Sequence, residues 1–210
     1  MNGIWVQEYG AREPGEKFMT KIGLIRHGVT EWNDLGKAQG ITDVPLNDEG
    51  ISQAIKLGHR LSEDERWDMI FTSDLSRAFE TAKIIGSRIN LPIKSLDKRI
   101  REINCGKIEG TTEEERIQIW GENWRDLDLG METFWDAANR GIQFVEEINR
   151  VYRGKRVLVV SHGALIGLTL QHLLPDRFST TYIDNTSITI LQNIEGNWTC
   201  NLYNCTVHLK

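Results

Sequence analysis

The chain has 210 residues, 40% of them hydrophobic and 26% charged, with a formal net charge of -5. That length fits one domain able to bury a real core, and the acidic balance disfavours nucleic acid and anionic membranes as partners, so any anion-binding function must be concentrated locally. The three cysteines, Cys105, Cys200 and Cys205, show no metal-ligand spacing, no apolar run approaches a membrane span, and residues 1–18 lack the apolar stretch of a secretory signal, so the expectation is free thiols in a reducing cytoplasm.

Residues 1–18 are polar, with Gly3, Gly10, Pro14 and Gly15 and no sustained period, and read as an N-terminal extension ahead of a domain over 19–210. Met19 is then a candidate functional start. The run 21–25 predicts a buried strand that meets a loop at Arg26-His27-Gly28. Asn47 can cap a helix with Ile51, Ala54, Ile55, Gly58 and Leu61 on one face. Residues 69–72 predict a second buried strand, and Ser73 can cap a following helix that turns Leu75, Ala78, Ala82, Ile85 and Ile89 inward.

Residues 107–140 are irregular and rich in tryptophan, and a helix is expected over 135–152. The clearest strand signal, 156–160, runs into Ser161-His162-Gly163; a helix over 164–174 is stopped by Pro175. The segments 186–194 and 198–207 read as strands joined by a Gly196-Asn197 turn. Such alternation predicts an α/β fold with a largely parallel sheet covered on both faces.

In such sheets ligands bind beyond the carboxyl ends of the strands. Arg26 and His27 follow the first predicted strand, Arg77 lies in the first turn of the helix after the second, and His162 follows the strand at 156–160. Two imidazoles and two guanidiniums converging on one crevice make an anion site that contains a nucleophile. Neutral imidazole can attack phosphorus, and guanidinium matches phosphate oxygens with paired donors. A leaving alkoxide needs a proton, and Glu102 is the candidate donor. A metal site is the competing use of two histidines and a glutamate, but the charges of Arg26 and Arg77 oppose a divalent cation. Taken singly, His59 and His172 fall within helical patterns and read as structural, and His208 lies near the frayed terminus.

The stretch Leu24-Ile25-Arg26-His27-Gly28-Val29-Thr30-Glu31-Trp32-Asn33 resembles the signature of the histidine phosphatase superfamily, the phosphoglycerate mutase-like proteins. Further blocks agree in order: Gln39-Gly40 with Asp43-Val44-Pro45-Leu46-Asn47, then Thr72-Ser73-Asp74-Leu75-Ser76-Arg77-Ala78, then Arg101-Glu102-Ile103-Asn104-Cys105-Gly106 with Glu109-Gly110, and Ser161-His162-Gly163. The resemblance implies a three-layer α/β/α sandwich around a mostly parallel sheet, with no metal and no cofactor. It implies His27 as nucleophile, Arg26, Arg77 and His162 as phosphoryl ligands, Asn33, Gln39, Gly40 and Gly163 as phosphate or substrate contacts, and Glu102 as proton donor, then acceptor.

The segment 107–140 resembles the family's variable lid. Leu129-Gly130-Met131-Glu132-Thr133 stands where the family carries Pro-Gly-Gly-Glu-Ser/Thr, with departures at Leu129 and Met131. Trp120, Trp124 and Trp135 either form an apolar wall over the leaving group or pack the lid helices. The expected activity is a metal-independent phosphomonoester phosphatase acting through phosphohistidine on a small phosphorylated metabolite. The alternatives are a cofactor-dependent phosphoglycerate mutase and a catalytically dead binding module. Mutases of the family carry a longer lid with basic residues for a second anionic group. Between Glu113 and Asp136 this chain has eight acidic residues and only two basic ones, Arg116 and Arg125, which disfavours a doubly charged substrate. The sequence carries no signal for an oligomeric state.

Overall fold

A computed structural model describes residues 19–63 and 66–210; the extension expected at residues 1–18 lies outside the described residues. The sheet has six strands in the order β3-β2-β4-β1-β5-β6, where β1 is Met19–Arg26, β2 Met69–Thr72, β3 Ile93–Leu96, β4 Arg156–Ser161, β5 Ile188–Ile194 and β6 Asn197–Cys205. The first four in that order pair in parallel, and β5 and β6 close the far side antiparallel. The architecture is the expected mostly parallel α/β sheet.

The strand at the heart of the sheet, β4, is apolar at every central position because both of its faces are covered. Val157 and Val159 join Ile22, Leu24 and Phe71 on one face, beneath Phe144, Val145, Ile148, Leu165, Ile166 and Leu170. Those six come from α5 (Phe134–Val151) and α6 (Gly163–Leu173). Leu158 and Val160 join Ile25 and Ile70 on the other face, beneath Leu57, Leu61, Ala78, Ala82 and Ile85. These belong to α2 (Asp48–Glu63) and α3 (Ser76–Ile89), which follow the single-turn α1 (Glu31–Asp34). The alternation is the period of two of a strand read against two helical layers, and full burial of each large aliphatic contributes about 1.5–3 kcal/mol. In β1, Gly23 is required by close approach: a Cβ there would sit 2.9 Å from both Leu158 Cδ2 and the Trp67 ring.

Several local expectations hold. Asn47 Oδ1 accepts from Gly50 N at 2.9 Å at the start of α2, and the helix expected over 135–152 is α5, whose start is capped by Thr133 Oγ1 accepting from Asp136 N at 3.1 Å. The inner face of α2 centres on Ala54, Leu57, Gly58 and Leu61, with Ile51 and Ile55 at its margin. Ser73 departs from expectation. The third helix begins later, at Ser76, with Leu75 as a cap that makes no side-chain bond. The Ser73 hydroxyl instead accepts from Leu75 N and meets the His162 ring.

The sequence pattern also missed two elements. Strand β3 exposes three of its four residues, so it carries no buried stripe to read. Helix α4 (Glu113–Trp120) buries nothing and is held by a capping box between Thr112 and Glu115, a local signal that apolar periodicity does not register. Among the described residues, no helix is long and apolar enough to cross a membrane.

Candidate active site

The four parallel strands deliver their reactive residues to one end of the sheet. His27 follows β1, and its backbone N–H donates to Ser161 O at 3.0 Å, at the end of neighbouring β4. Ser73 follows β2 and is tied likewise to Val160 O at 3.0 Å. Arg77 sits in the first turn of α3, Glu102 follows the short 3-10 turn Lys98–Ile100 beyond β3, and His162 follows β4. The His27 and His162 ring centroids lie 5.2 Å apart.

His27 is 2% exposed, and its Nδ1 lies 2.7 Å from Gly28 O. A carbonyl can only accept, so Nδ1 carries the proton and the neutral ring keeps its lone pair on Nε2. Burial, and then the charges of Arg26 and Arg77, hold the His27 pKa well below the usual imidazole value. His162 is fully buried, and its pKa is lowered by the same burial and by Arg77, His27 and Arg26. Its Nε2 lies 2.9 Å from Ser73 Oγ. Both rings are therefore neutral at physiological pH.

The two arginines are anchored by their terminal nitrogens to carbonyl oxygens. Arg26 Nη1 donates to Ile183 O at 2.7 Å. Arg77 Nη1 donates to Thr42 O at 2.9 Å and Nη2 to Gly40 O at 2.7 Å. Burial draws the Arg77 pKa down to about 10 against the opposing fields of Glu102, Asp43 and Glu109. At this site three buried nitrogens, Arg26 Nε, Arg77 Nε and His162 Nδ1, have no hydrogen-bond partner among the described residues. The two guanidinium Nε–H groups can only donate, and His162 Nδ1 donates in the tautomer whose Nε2 accepts from the Ser73 hydroxyl; a buried unpaired donor costs about 1–3 kcal/mol, so these groups suit an oxygen-rich anion.

Glu102 is 8% exposed. Its Oε1 accepts from Ile103 N and Leu165 N, each at 3.0 Å, and Oε2 accepts from Ala164 N at 3.2 Å. It thereby caps the first turn of α6 from another segment, where the N-cap residue His162 makes no capping bond. Oε2 is the less engaged oxygen.

Two lobes of one cleft meet at Arg26, Glu102 and Ala164. The larger, of about 320 Å³, is lined by Phe134, Leu168, Gln171, Thr181, Tyr182 and Ile183 together with Gly163. The smaller, of about 230 Å³, is lined by His27, Asn33, Lys37, Gln39, Ile103 and Cys105.

Of the expected site residues, Arg26 and Glu102 line both lobes and His27 the smaller, while Arg77 and His162, fully buried, line neither; the other expected contacts divide between the lobes and the scaffold. Asn33 and Gln39 line the smaller lobe, and Gly163 lines the larger and passes so close to Arg26 that a Cβ would meet its Nε at 3.2 Å. Gly40 lines neither lobe. Its carbonyl holds Arg77, and it is glycine because a Cβ would collide with Glu109 Oε1. Glu109 in turn grips the same loop through Ile41 N, Thr42 N and the Thr42 hydroxyl, and also accepts from Cys105 N.

The tryptophan wall is not there. Trp124 is buried beside Ile103, Ile108 and Leu129, with Trp120 packed against that cluster. The Trp124 Nε1 donates to Glu113 Oε1, and Arg125 and Arg116 stack on its ring at 4.2 and 5.2 Å. Trp135 is exposed and lines neither lobe. The apolar lining comes from Phe134 and from a segment of unremarkable composition, 181–183. Sequence reasoning also missed Asn185, whose Nδ2 donates to His27 O and Asn33 Oδ1, because no period or spacing marks a loop residue that reaches back 158 positions. At the Leu129–Met131 departure, only Gly130 takes a left-handed φ, +71°, so a side chain at 131 is free of strain.

The strand ends thus gather a buried imidazole, its Nε2 lone pair free, with two guanidiniums whose Nε–H donors are unpaired. The chain belongs to the histidine phosphatase superfamily, branch 1. The match spans residues 22–206. Among its relatives is the uncharacterized phosphatase PhoE of Bacillus subtilis, 37% identical over 195 residues, covering 91% of this chain and 98% of PhoE. The solved structure of Bacillus stearothermophilus YhfR superposes with a TM-score of 0.80 at 32% identity, covering 91% of this chain and all of that one. A phosphoserine phosphatase mutant from Entamoeba histolytica, solved with phosphoserine, gives a TM-score of 0.77 at 30% identity, over 91% of this chain and 100% of that one. Other relatives of the chain are named as phosphoserine phosphatases and as probable phosphoglycerate mutases.

Proposed function

We propose that the protein is a metal-independent phosphomonoester phosphatase that works through a phosphohistidine at His27. The observation that carries the reading is the set of three unpaired buried donors, Arg26 Nε, Arg77 Nε and His162 Nδ1, beside an imidazole whose Nδ1 is already committed to Gly28 O. Non-bridging phosphate oxygens satisfy such donors, and the donors stabilise the charge that grows on those oxygens in the transition state.

His27 Nε2 attacks phosphorus while the bond from phosphorus to the ester oxygen breaks, and Glu102 gives its proton to the departing alkoxide. Water then attacks the phosphohistidine, the Glu102 carboxylate takes its proton, and the P–N bond breaks to return neutral His27 and free phosphate. Asn33 and Gln39 face the phosphate from the smaller lobe. The adjacent positive charges of Arg26 and Arg77 favour an anion over a divalent cation at this point. The three thiols are free, in keeping with a reducing cytoplasm.

Phe134, Leu168, Tyr182 and Ile183 support esters with an apolar or aromatic alcohol part. Arg116 and Arg125, the two basic residues between Glu113 and Asp136, are already paired with Glu113, which speaks against a mutase that must grip a second anionic group. Lys37 is the observation on the other side. It lines the smaller lobe and favours a substrate with one carboxylate, such as phosphoserine.

The test is trapping. Labelled ester is mixed with enzyme and quenched in alkali, and protein-bound label that is stable in base and labile in acid is expected for wild type and absent for His27→Ala. Label retained by His27→Ala at wild-type level overturns the assignment.

A further inference from the structure

Arg140 lies in the second turn of α5, and its guanidinium spends all five of its N–H donors. Nε donates to Glu132 Oε1 at 2.7 Å, and Nη2 to Glu132 Oε2 at 2.9 Å and to Glu102 O at 3.0 Å. Nη1 donates to Arg99 O and to Arg101 O, both at 2.6 Å. One planar fork thus gathers three backbone carbonyls, including that of Glu102 itself, and a forked carboxylate. Glu132 closes the ring. Its Oε2 also accepts from Asn104 N at 3.1 Å, and its backbone N–H donates to Asn104 O at 2.8 Å.

The segment carrying Glu102 is therefore clasped on both sides of that residue by groups that line neither lobe of the cleft. Arg140 and Glu132 are each 19% exposed, so the pair is poorly screened and a lost partner is felt. The flanking side chains anchor elsewhere: Arg101 pairs with Asp74, and Arg99 with Asp97 and Glu147. Of these arginines, only Arg140 holds the Glu102 peptide.

We propose that Arg140 and Glu132 form a strut that positions the Glu102 carboxyl group, so that proton delivery to the leaving group depends on a pair that never touches substrate. The proposal rests on Glu102 being the proton donor. A donor displaced by a fraction of an ångström loses its hold on a poor leaving group, while an ester whose alcohol leaves unaided is indifferent.

The test is kcat/KM on ethyl phosphate and on nitrophenyl phosphate for wild type, Glu102→Gln, Arg140→Met, Arg140→Lys and Glu132→Gln, with thermal midpoints recorded for each. Lysine keeps the charge but cannot span the carbonyls. The expected result is a rise in the nitrophenyl-to-ethyl ratio on the order of tenfold or more in both Arg140 variants, with a smaller rise in Glu132→Gln. The double variant Glu102→Gln/Arg140→Met is expected to be no worse on ethyl phosphate than the more damaged single variant. Losses that are equal on both esters, or that multiply in the double variant, overturn the strut. Should Arg140→Met fail to fold, Arg140→Lys and Glu132→Gln carry the same comparison. Glu102→Gln separates the two failures. If it is selective for ethyl phosphate and the strut variants are not, only the strut is wrong. If it strikes both esters equally, the proton-donor reading fails and the strut falls with it.

Discussion

The floor of the cleft and its lid are built on opposite physical terms. On the floor, Arg77 and His162 are fully buried and His27 nearly so, each held by backbone carbonyls, a serine hydroxyl or a strand end. Across the cleft, Phe134 and Tyr182 are 64% and 72% exposed. The floor offsets the cost of burying the Arg77 cation and two imidazoles with a fixed geometry, and in the proposed reaction that geometry acts on the phosphoryl group common to every ester. The lid has no such constraint. Its own small core around Trp124 keeps it folded, and its rim toward the cleft can change without disturbing the floor. Chemistry is invested in the rigid part and discrimination in the exposed part.

The sharpest way to break that division is at the floor. Arg77→Met should lower kcat/KM on the order of a hundredfold to a thousandfold on every ester alike, because it removes a donor aimed at the phosphoryl oxygens; steady-state kinetics on ethyl, naphthyl and nitrophenyl phosphates measures this, and a loss confined to one ester would move Arg77 out of the shared machinery. Next in size is Glu102→Gln, expected to cost on the order of a hundredfold for ethyl phosphate and little for nitrophenyl phosphate. Equal losses would deny Glu102 the donor role.

The effects at the exposed rim of the cleft should be smaller and selective. Phe134→Ala and Tyr182→Ala are each expected to lower the preference for naphthyl phosphate over 3-phosphoglycerate by about fivefold, the equivalent of roughly 40 Å² of apolar contact at about 25 cal/mol per Å². Trp135→Ala should leave that ratio alone. Trp124→Ala should leave it alone too while costing about 3–5 kcal/mol of stability in denaturant unfolding. A ratio that moves with the tryptophans and not with Phe134 and Tyr182 would reverse the assignment of the wall.

The smallest expected effect is on stability against acid. Burial lowers the pKa values of His27 and His162 from 6.5, and that of His208 to about 4. Above 6.5 these histidines are neutral in both folded and unfolded chains and contribute no slope. Below 6.5 the unfolded chain binds protons that the folded one refuses, so stability is lost progressively as the pH falls toward the folded values. Calorimetric midpoints should decline from pH 6.5 to 5. A midpoint that holds or rises over that range would contradict neutral buried rings.

Local signals carried the floor and misled on the lid for the same reason. Strand β4 announces itself because both of its faces are buried, and Arg26, His27, Arg77, Glu102 and His162 follow strands or the turns after them at spacings that resemble a known family. Strand β3 has one half-buried residue and three exposed ones, so nothing in its own sequence distinguishes it from a loop; pairing with β2 alone makes it a strand. Three tryptophans in one stretch left an apolar wall and simple lid packing both open, because composition does not say which way a ring turns; the structure packs Trp120 and Trp124 into the lid. Ser73 had the right residue type and roughly the right place for a helix cap, yet its hydroxyl was taken by a histidine 89 positions away.

The amino-acid sequence by itself determined the alternation of elements, the parallel sheet, the family and the identities of the residues gathered at the strand ends, because each of these is written in local periodicity or contiguous motifs. Only the tertiary structure decided that Gly40 serves Arg77 through its carbonyl, that Phe134 and Tyr182 rather than the tryptophans face the cleft, and that Arg140 and Glu132 brace Glu102. Those relations depend on the directions of single bonds between segments from 8 to 41 residues apart, and direction across such gaps is set by packing, not by sequence spacing.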